Sequence, residues 1–317
     1  MKVIIIGGVA GGATAAARIR RLDEKAEIVI LERSGFVSYA NCGLPYYVGG
    51  VITDREELTL QTPEGFRNRF GIDVRVGQEA VELHPEQHTV TVRRLEDGST
   101  YALHYDKLLL SPGARPVGSN LPGEDDPRVF TLRTVEDTLR IRAYLDEHPV
   151  RRAVVVGGGF IGLEVAENLL EQGLDVTVMD MAPQVMPGFD PEFAAYGTRH
   201  LEKVGIHVST STKMEGITGS EKAEGVQTDK GLIPADVAEL CLGIRPNTAF
   251  LKETGLEFAK NGAIMVDKSL RTSLPDVYAA GDCAVATNRL TGESAWAPMG
   301  SAANMEGRVL AEVLAGR

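Results

Sequence analysis

Two glycine-rich turns, each lying between a short aliphatic run and a helix-forming stretch, constrain this chain more than any other feature. The second is the cleaner. Val154-Val155-Val156 leads into Gly157-Gly158-Gly159-Phe160-Ile161-Gly162, a helix to about Gln172 follows, and the next apolar run, Asp175 to Met179, ends at Asp180. This is the GxGxxG order of strand, tight turn, helix, strand and acid. Its glycines let the backbone approach a pyrophosphate at a helix N-terminus, and its acid bonds a ribose. The first copy is Lys2 to Ile6, then Gly7-Gly8-Val9-Ala10-Gly11-Gly12, a helix from Ala13 to about Arg21, and a strand from Glu27 to Leu31 ending at Glu32. Its middle glycine position is filled by Val9. Two such βαβ units imply two bound dinucleotides, and they are the only internal repeat. Asp180 suits a free 2′-hydroxyl and repels a 2′-phosphate, so NADH is expected over NADPH; the alternative is that Asp180 only starts a turn.

A chain of 317 residues has room for about two domains of ~100–200 residues each. Its net charge of −11 argues against a nucleic-acid surface, which needs a basic patch. His84, His88, His104, His148, His200 and His207 show no metal-ligand spacing, so no metal is expected. No apolar run approaches the ~18 residues of a membrane span. The first apolar run, Val3–Ile6, is too short for a signal peptide, and the sequence reads as cytoplasmic.

Between the two repeats, Pro63 to Phe70 reads as a helix and residues 72–110 as a small antiparallel meander closing in a strand at Tyr105 to Leu110. Pro116 to Pro127 is a Pro/Gly/Asp-rich linker and the first domain boundary. Thr134 to His148 is an amphipathic helix. After Asp180, residues 206–242 read as short strands and Gly243 to Asn247 as the exit from the second domain. Ile264 to Val266 and the run Leu274 to Asp282 follow as strand and turn, and Ser294 to Leu314 as the last helix.

Cys42, Cys241 and Cys283 lie far apart, and none forms a CxxC pair. Cys42 sits in Ser38-Tyr39-Ala40-Asn41-Cys42-Gly43-Leu44-Pro45, shortly after the first repeat. Asn41 is placed to cap a short helix, and a cysteine at a helix N-terminus has a depressed pKa and more thiolate. Spacing alone does not separate this reading from a small buried hydrophobe. Arg18 and Arg21, three apart on one helix face, suit phosphate groups or form a solvated basic face.

Taken together, the turn at 7–12, Ser111-Pro112-Gly113-Ala114, the turn at 157–162 and Pro275-Asp276-Val277-Tyr278-Ala279-Ala280-Gly281-Asp282 resemble the FAD-dependent pyridine nucleotide-disulfide oxidoreductases along the whole chain. The resemblance implies an α/β fold of two Rossmann-like, three-layer ββα dinucleotide-binding domains. The NAD domain (119–244) is inserted in the FAD domain (1–118 and 245–317). It assigns FAD to Gly7, Gly8, Val9, Ala10, Gly11, Gly12, Glu32, Arg33, Ala80, Ser111, Gly113, Arg133, Gly281 and Asp282, the last on the ribityl chain. Nicotinamide contacts fall to Gly157, Gly159, Phe160, Ile161, Gly162, Glu164, Asp180 and Gly243.

Within that family the lone Cys42 resembles the single-cysteine branch, because Tyr46-Tyr47 stand where two-cysteine members carry the second thiol. NADH oxidases and peroxidases of the branch carry a histidine at the position of Ala10, and the motif around Cys42 looks most like the coenzyme A-disulfide reductases. Thr14, Arg18, Arg21, Ser38 and Asn41 are then expected to contact coenzyme A. The implied path runs from NADH through FAD to Cys42 and on to a CoA disulfide, CoA persulfide or polysulfide, a small-molecule partner reached neither through nucleic acid nor membrane. The alternatives are an NADH oxidase or peroxidase, and an electron-transfer or redox-sensing module serving a protein. Family members continue into a dimer-interface domain beyond the position of Arg317, on which homodimerisation depends.

Overall fold

Val3–Ile6, Ile28–Leu31 and Leu108–Leu110 carry apolar side chains on both faces of their strands, and all are buried, as in parallel sheets covered on both sides. The computed structural model describes residues 1–219, 224–288 and 290–316. Residues 220–223, within the expected run of short strands, as well as Arg289 and Arg317, lie outside the described residues. The chain divides into two compact units. The first comprises Met1–Tyr39, Thr59–Arg115 and Arg245–Arg317, and the second Ala40–Leu58 and Pro116–Ile244.

The first unit is built on a five-stranded sheet in the order Val277–Ala279, Lys107–Leu110, Lys2–Ile6, Glu27–Leu31, Asp73–Arg75, with every pair parallel. A three-stranded antiparallel sheet, Gln78–His84, Thr89–Arg94 and Thr100–His104, belongs to the same unit. The helix Ala10–Leu22 begins one turn earlier than the sequence suggests and packs along the last helix, Gly300–Leu314. A Cβ on Gly307 would stand 2.5 Å from the Gly11 carbonyl oxygen, so the absent side chain sets how closely these helices approach.

The last helix also starts later than expected. Ser294–Ala295 is a strand paired antiparallel with Ala286 and Thr287, and the helix begins at Gly300. Pro298 supplies the reason: it lacks a backbone N–H and pushes the residue before it out of the helical region.

The second unit repeats the plan. Its parallel sheet runs His207–Ser209, Asp175–Met179, Arg152–Val156, Val237–Leu240, Val129–Phe130, and its antiparallel sheet is Met214–Thr218, Gly225–Thr228 and Gly231–Pro234. The helix Val135–Glu147 starts with a capping box: Thr134 Oγ1 accepts from the Asp137 N–H at 3.2 Å, and Asp137 Oδ2 accepts from the Thr134 N–H at 2.9 Å. A helix absent from the sequence reading, Pro191–Val204, starts with proline at its first position and ends at Gly205 in the left-handed region, the proline-in, glycine-out signature.

Ala40–Leu58, expected within the flavin domain, is part of the second unit. Its short helix Leu44–Val48 packs against Val135–Glu147 and Phe160–Glu171. Arg142 Nη1 donates to the Val48 carbonyl at 3.3 Å, and Gln172 Nε2 donates to the Gly49 carbonyl. A Cβ on Gly49 would fall 2.2 Å from Asn168 Oδ1, so the backbone itself lies against the helix. Among the described residues no helix is long and apolar enough to cross a membrane.

Candidate functional site

The two glycine turns share one geometry. Gly7 and Gly157 have φ of +96° and +116°, and their N–H groups donate to Leu31 O at 2.8 Å and Met179 O at 2.7 Å. A Cβ on Gly12 would lie 1.9 Å from Gly7 O, and one on Gly162 the same distance from Gly157 O. Only hydrogen fits there, so each helix is drawn against its own turn.

The Gly8 N–H donates to Glu32 Oε2 at 2.8 Å and the Gly158 N–H to Asp180 Oδ2 at 2.7 Å. The other carboxylate oxygens accept from Ser34 N–H at 2.8 Å and Ala182 N–H at 2.7 Å. Each acid is therefore fixed at its strand end by two backbone bonds, and an ionised carboxylate has about four lone-pair sites, which leaves acceptor capacity for a ribose. The first N–H groups of Ala10–Leu22 and Phe160–Glu171 have no carbonyl within their helices. At Gly159, which caps the second helix, a Cβ would meet nothing within 4 Å, so bare backbone faces open space. Its counterpart Val9 caps the first helix without a side-chain bond, and Ala10 is that helix's first residue. These cradles fit two dinucleotides.

Around the first turn, the Ser111 N–H donates to Ile6 O at 2.8 Å, and a Cβ on Gly11 would stand 2.7 Å from Ser111 Oγ. Gly113 accepts from the Asn247 N–H at 2.9 Å. Gly281, at φ +82°, donates to Glu306 Oε2 at 2.6 Å, and the Asp282 carbonyl accepts from Trp296 Nε1 at 2.9 Å. Burial pushes the Glu306 carboxyl above its ordinary value, against the pull of the Gly281 N–H. Ala80 is buried in Gln78–His84, and exposed Arg33 stands 3.5 Å from Glu79.

In the second unit, Phe160 is exposed and meets the Phe189 ring edge-on at 5.9 Å, and Ile161 is half-buried. Burial, with Glu167 beside it, raises the pKa of Glu164. Gly243, at φ +100°, accepts from the Val117 N–H at 3.0 Å. Arg133 precedes the capping box, and its N–H donates to Asp137 Oδ2 at 3.1 Å.

Of the three cysteines, Cys42 alone is exposed. It is the middle residue of the 3-10 turn Asn41–Gly43, which leads directly into Leu44–Val48. Asn41 does not cap: it lies inside the turn, and its Nδ2 donates to the Arg133 carbonyl at 3.2 Å. Burial pushes the Cys283 thiol up to about 12 and Cys241 well above the usual thiol range, which disfavours the nucleophilic thiolate at both.

Four of the five residues expected to hold coenzyme A do converge. Thr14, Arg18, Arg21 and Ser38 line a cavity of about 660 Å³ in the first unit, within the ~300–1,000 Å³ of small-molecule sites. Asn41 belongs to the second unit with Cys42. Ser38 holds φ of +48°, fixed by its N–H to Gly8 O and by its carbonyl, which accepts from the Leu60 N–H, both at 2.8 Å. Arg18 is paired: its Nε and Nη2 both bond Glu312 Oε1. The sequence reading missed the cavity's other walls, Arg69 and Phe70 from the helix Pro63–Phe70, and Asn304, Arg308 and Glu312 from the last helix. Their signal is the i, i+4, i+8 spacing of 304, 308 and 312, which places one stripe on one helix face.

Compared with known proteins, the chain is 37% identical over 317 residues to an NADH oxidase of Methanocaldococcus jannaschii, covering all of this chain and 70% of that protein. It is 36% identical over 320 residues to the coenzyme A disulfide reductase of Staphylococcus haemolyticus, covering 99% of this chain and 70% of the other. Among solved structures, reduced CoADR-RHD of Bacillus anthracis superposes with a TM-score of 0.96 at 42% identity, covering 99% of this chain. This chain spans 57% of that longer chain. The family model of the pyridine nucleotide-disulphide oxidoreductases matches residues 1–304, and the chain belongs to that family.

Proposed function

We propose that the chain carries the electron-transfer machinery of an NADH-dependent flavin reductase that acts on coenzyme A disulfides or persulfides through Cys42. The single observation that carries this reading is the contrast among the thiols: Cys42 is exposed, while Cys241 is half-buried and Cys283 buried, both with raised pKa values. FAD and a nicotinamide, when bound, supply hydride transfer and deliver electron pairs to sulfur.

Gly7, Gly8, Gly11, Gly12, Glu32, Ser111, Gly281 and Asp282 would hold the flavin nucleotide, and Gly157, Gly159, Gly162 and Asp180 the nicotinamide nucleotide. The Cys42 thiolate attacks one sulfur of a CoA disulfide, forming a mixed disulfide and expelling one CoA thiolate. Two electrons from NADH then return Cys42 to the thiolate and release the second CoA, so NADH, one proton and one disulfide give NAD⁺ and two thiols. Arg18 and Arg21 position the substrate's phosphates, and Ser38 lines the same cavity. The two dinucleotide-binding domains correspond to the two compact units, with Ala40–Leu58 assigned to the second.

The Ala10 position favours this reading over an oxidase, because the first residue of the first helix offers no side-chain base for peroxide chemistry. Steady-state assays of Cys42→Ser test it. The variant should lose at least a thousandfold in CoA-disulfide reduction while keeping NADH-dependent reduction of ferricyanide. Full disulfide reductase activity in the variant overturns the assignment.

A further inference from the structure

The 660 Å³ cavity carries more charge than the residues assigned to coenzyme A account for. The protein as a whole is acidic, with a net charge of −11. Its cavity is the reverse: Arg18, Arg21, Arg69 and Arg308 line it against one carboxylate, Glu312. Three elements supply these groups, namely Ala10–Leu22, Pro63–Phe70 and Gly300–Leu314. Close packing at Gly307 sets the last helix against the first, with Arg308 and Glu312 on the cavity side. Arg21 and Arg69 both lie over the Phe70 ring, at 5.7 and 5.2 Å from its centroid. The electron-rich ring attracts each of these two like charges and helps to hold both near the cavity. Arg21, Arg69 and Arg308 have no carboxylate partner among the described residues; Arg18 alone does, in Glu312.

We propose that Arg69 and Arg308 are phosphate ligands for a nucleotide-bearing thiol, and that Glu312 sets its affinity by occupying Arg18 until a phosphate displaces it. The inference rests on the coenzyme A reading above. The Arg18–Glu312 pair is about one-third exposed on each side, at 38% and 33%, and such pairs hold weakly. A phosphate group carries more charge than a carboxylate and presents the oxygen pair that a guanidinium fork matches. It can therefore take Arg18 from Glu312, whereas an uncharged or singly charged thiol cannot repay the lost pair. Arg21, Arg69 and Arg308, the three guanidiniums without a carboxylate partner among the described residues, supply the remaining attraction. Glu312 thus competes with the substrate's phosphates for Arg18 and lowers coenzyme A affinity by the cost of breaking the pair.

The test is calorimetric titration of the purified chain with reduced coenzyme A, and with pantetheine as the phosphate-free probe. Arg69→Ala and Arg308→Ala should each weaken coenzyme A about tenfold and flatten its salt dependence. Glu312→Gln should tighten it about threefold or more, a gain that misfolding does not produce. Pantetheine should bind all four proteins alike and more weakly. If the parent chain binds coenzyme A and the three variants bind it equally well, the inference is overturned and the coenzyme A reading stands. If the parent chain fails to bind coenzyme A, that reading falls and takes the inference with it.

Discussion

Asp180 shows how a single carboxylate couples fold to cofactor choice. Its Oδ2 accepts from the Gly158 N–H and its Oδ1 from the Ala182 N–H, so it closes the turn it is expected to serve. Asp180→Asn keeps an acceptor oxygen for Gly158 and removes the charge that repels a 2′-phosphate. The ratio of kcat/KM for NADH to that for NADPH should then fall about tenfold, the scale of one hydrogen bond to a charged group. An unchanged ratio would mean that the acid holds the turn and does nothing for the cofactor. Glu32 makes the matching bonds to Gly8 and Ser34. The equivalence of the two acids was legible in sequence because both end a strand directly after a glycine turn and its helix; their bonds back to Gly8 and Gly158 were not. The bond Arg18 makes to Glu312 was not, since 294 residues separate them.

At the scale of elements, the sequence shows what short-range patterns encode. The strands Lys2–Ile6, Glu27–Leu31 and Asp175–Met179 are aliphatic runs ended by glycine or acid, and they have the bounds their composition suggests. The helix Val135–Glu147 is framed by its Thr134 cap and by His148. Errors arise where a long-range partner decides. Ser294–Ala295 pairs with Ala286 and Thr287, so a stretch that looks helical becomes a strand ahead of Pro298. Ala40–Leu58 follows the first repeat in sequence, yet its backbone is bonded to Arg142 and Gln172 of the second unit. Nothing in its local pattern announces that. The packing of the last helix is equally non-local, and it rests on Gly307. In Gly307→Ala the new methyl would meet the Gly11 carbonyl at 2.5 Å, and because that obstacle is backbone, the helices must part. Such overpacking should cost roughly 1–3 kcal/mol and lower the Tm measured by calorimetry. A variant as stable as the parent would show that the contact has slack.

For the molecule as a whole, proton linkage sets a stability optimum between an acid and an alkaline limb, both legible in the second unit. On the acid side, the Arg128 side chain holds Asp126 below the ordinary carboxylate range. Burial works against Asp236, but Arg152 and the backbone N–H groups of Arg151 and Arg152 outweigh it and lower its pKa too. Stability from these acids is present above the ordinary carboxylate pKa and is lost as pH falls through their lowered values. The alkaline limb belongs to Glu239, an acid in the otherwise apolar strand Val237–Leu240. It is 4% exposed, and its Oε1 has no hydrogen-bond partner. Burial first, and Asp137 second, push its pKa from 4.5 up to about 8, with Arg140 pulling the other way. The folded chain therefore keeps a proton that the unfolded chain gives up near pH 4.5, and folding binds a proton throughout that window. Stability must decline as pH rises from 4.5 towards 8 and level off above it, by a few kcal/mol at the extreme. Glu239→Gln cannot titrate. Its urea midpoint should match the parent's at pH 5 and exceed it at pH 8.5, with the surplus growing through the window between. Glu306, whose raised pKa gives a slope of the same sign, is present in both proteins and cancels from the comparison. Parallel pH profiles for the two proteins would mean that Glu239 reaches solvent in the folded chain and ionises there without cost.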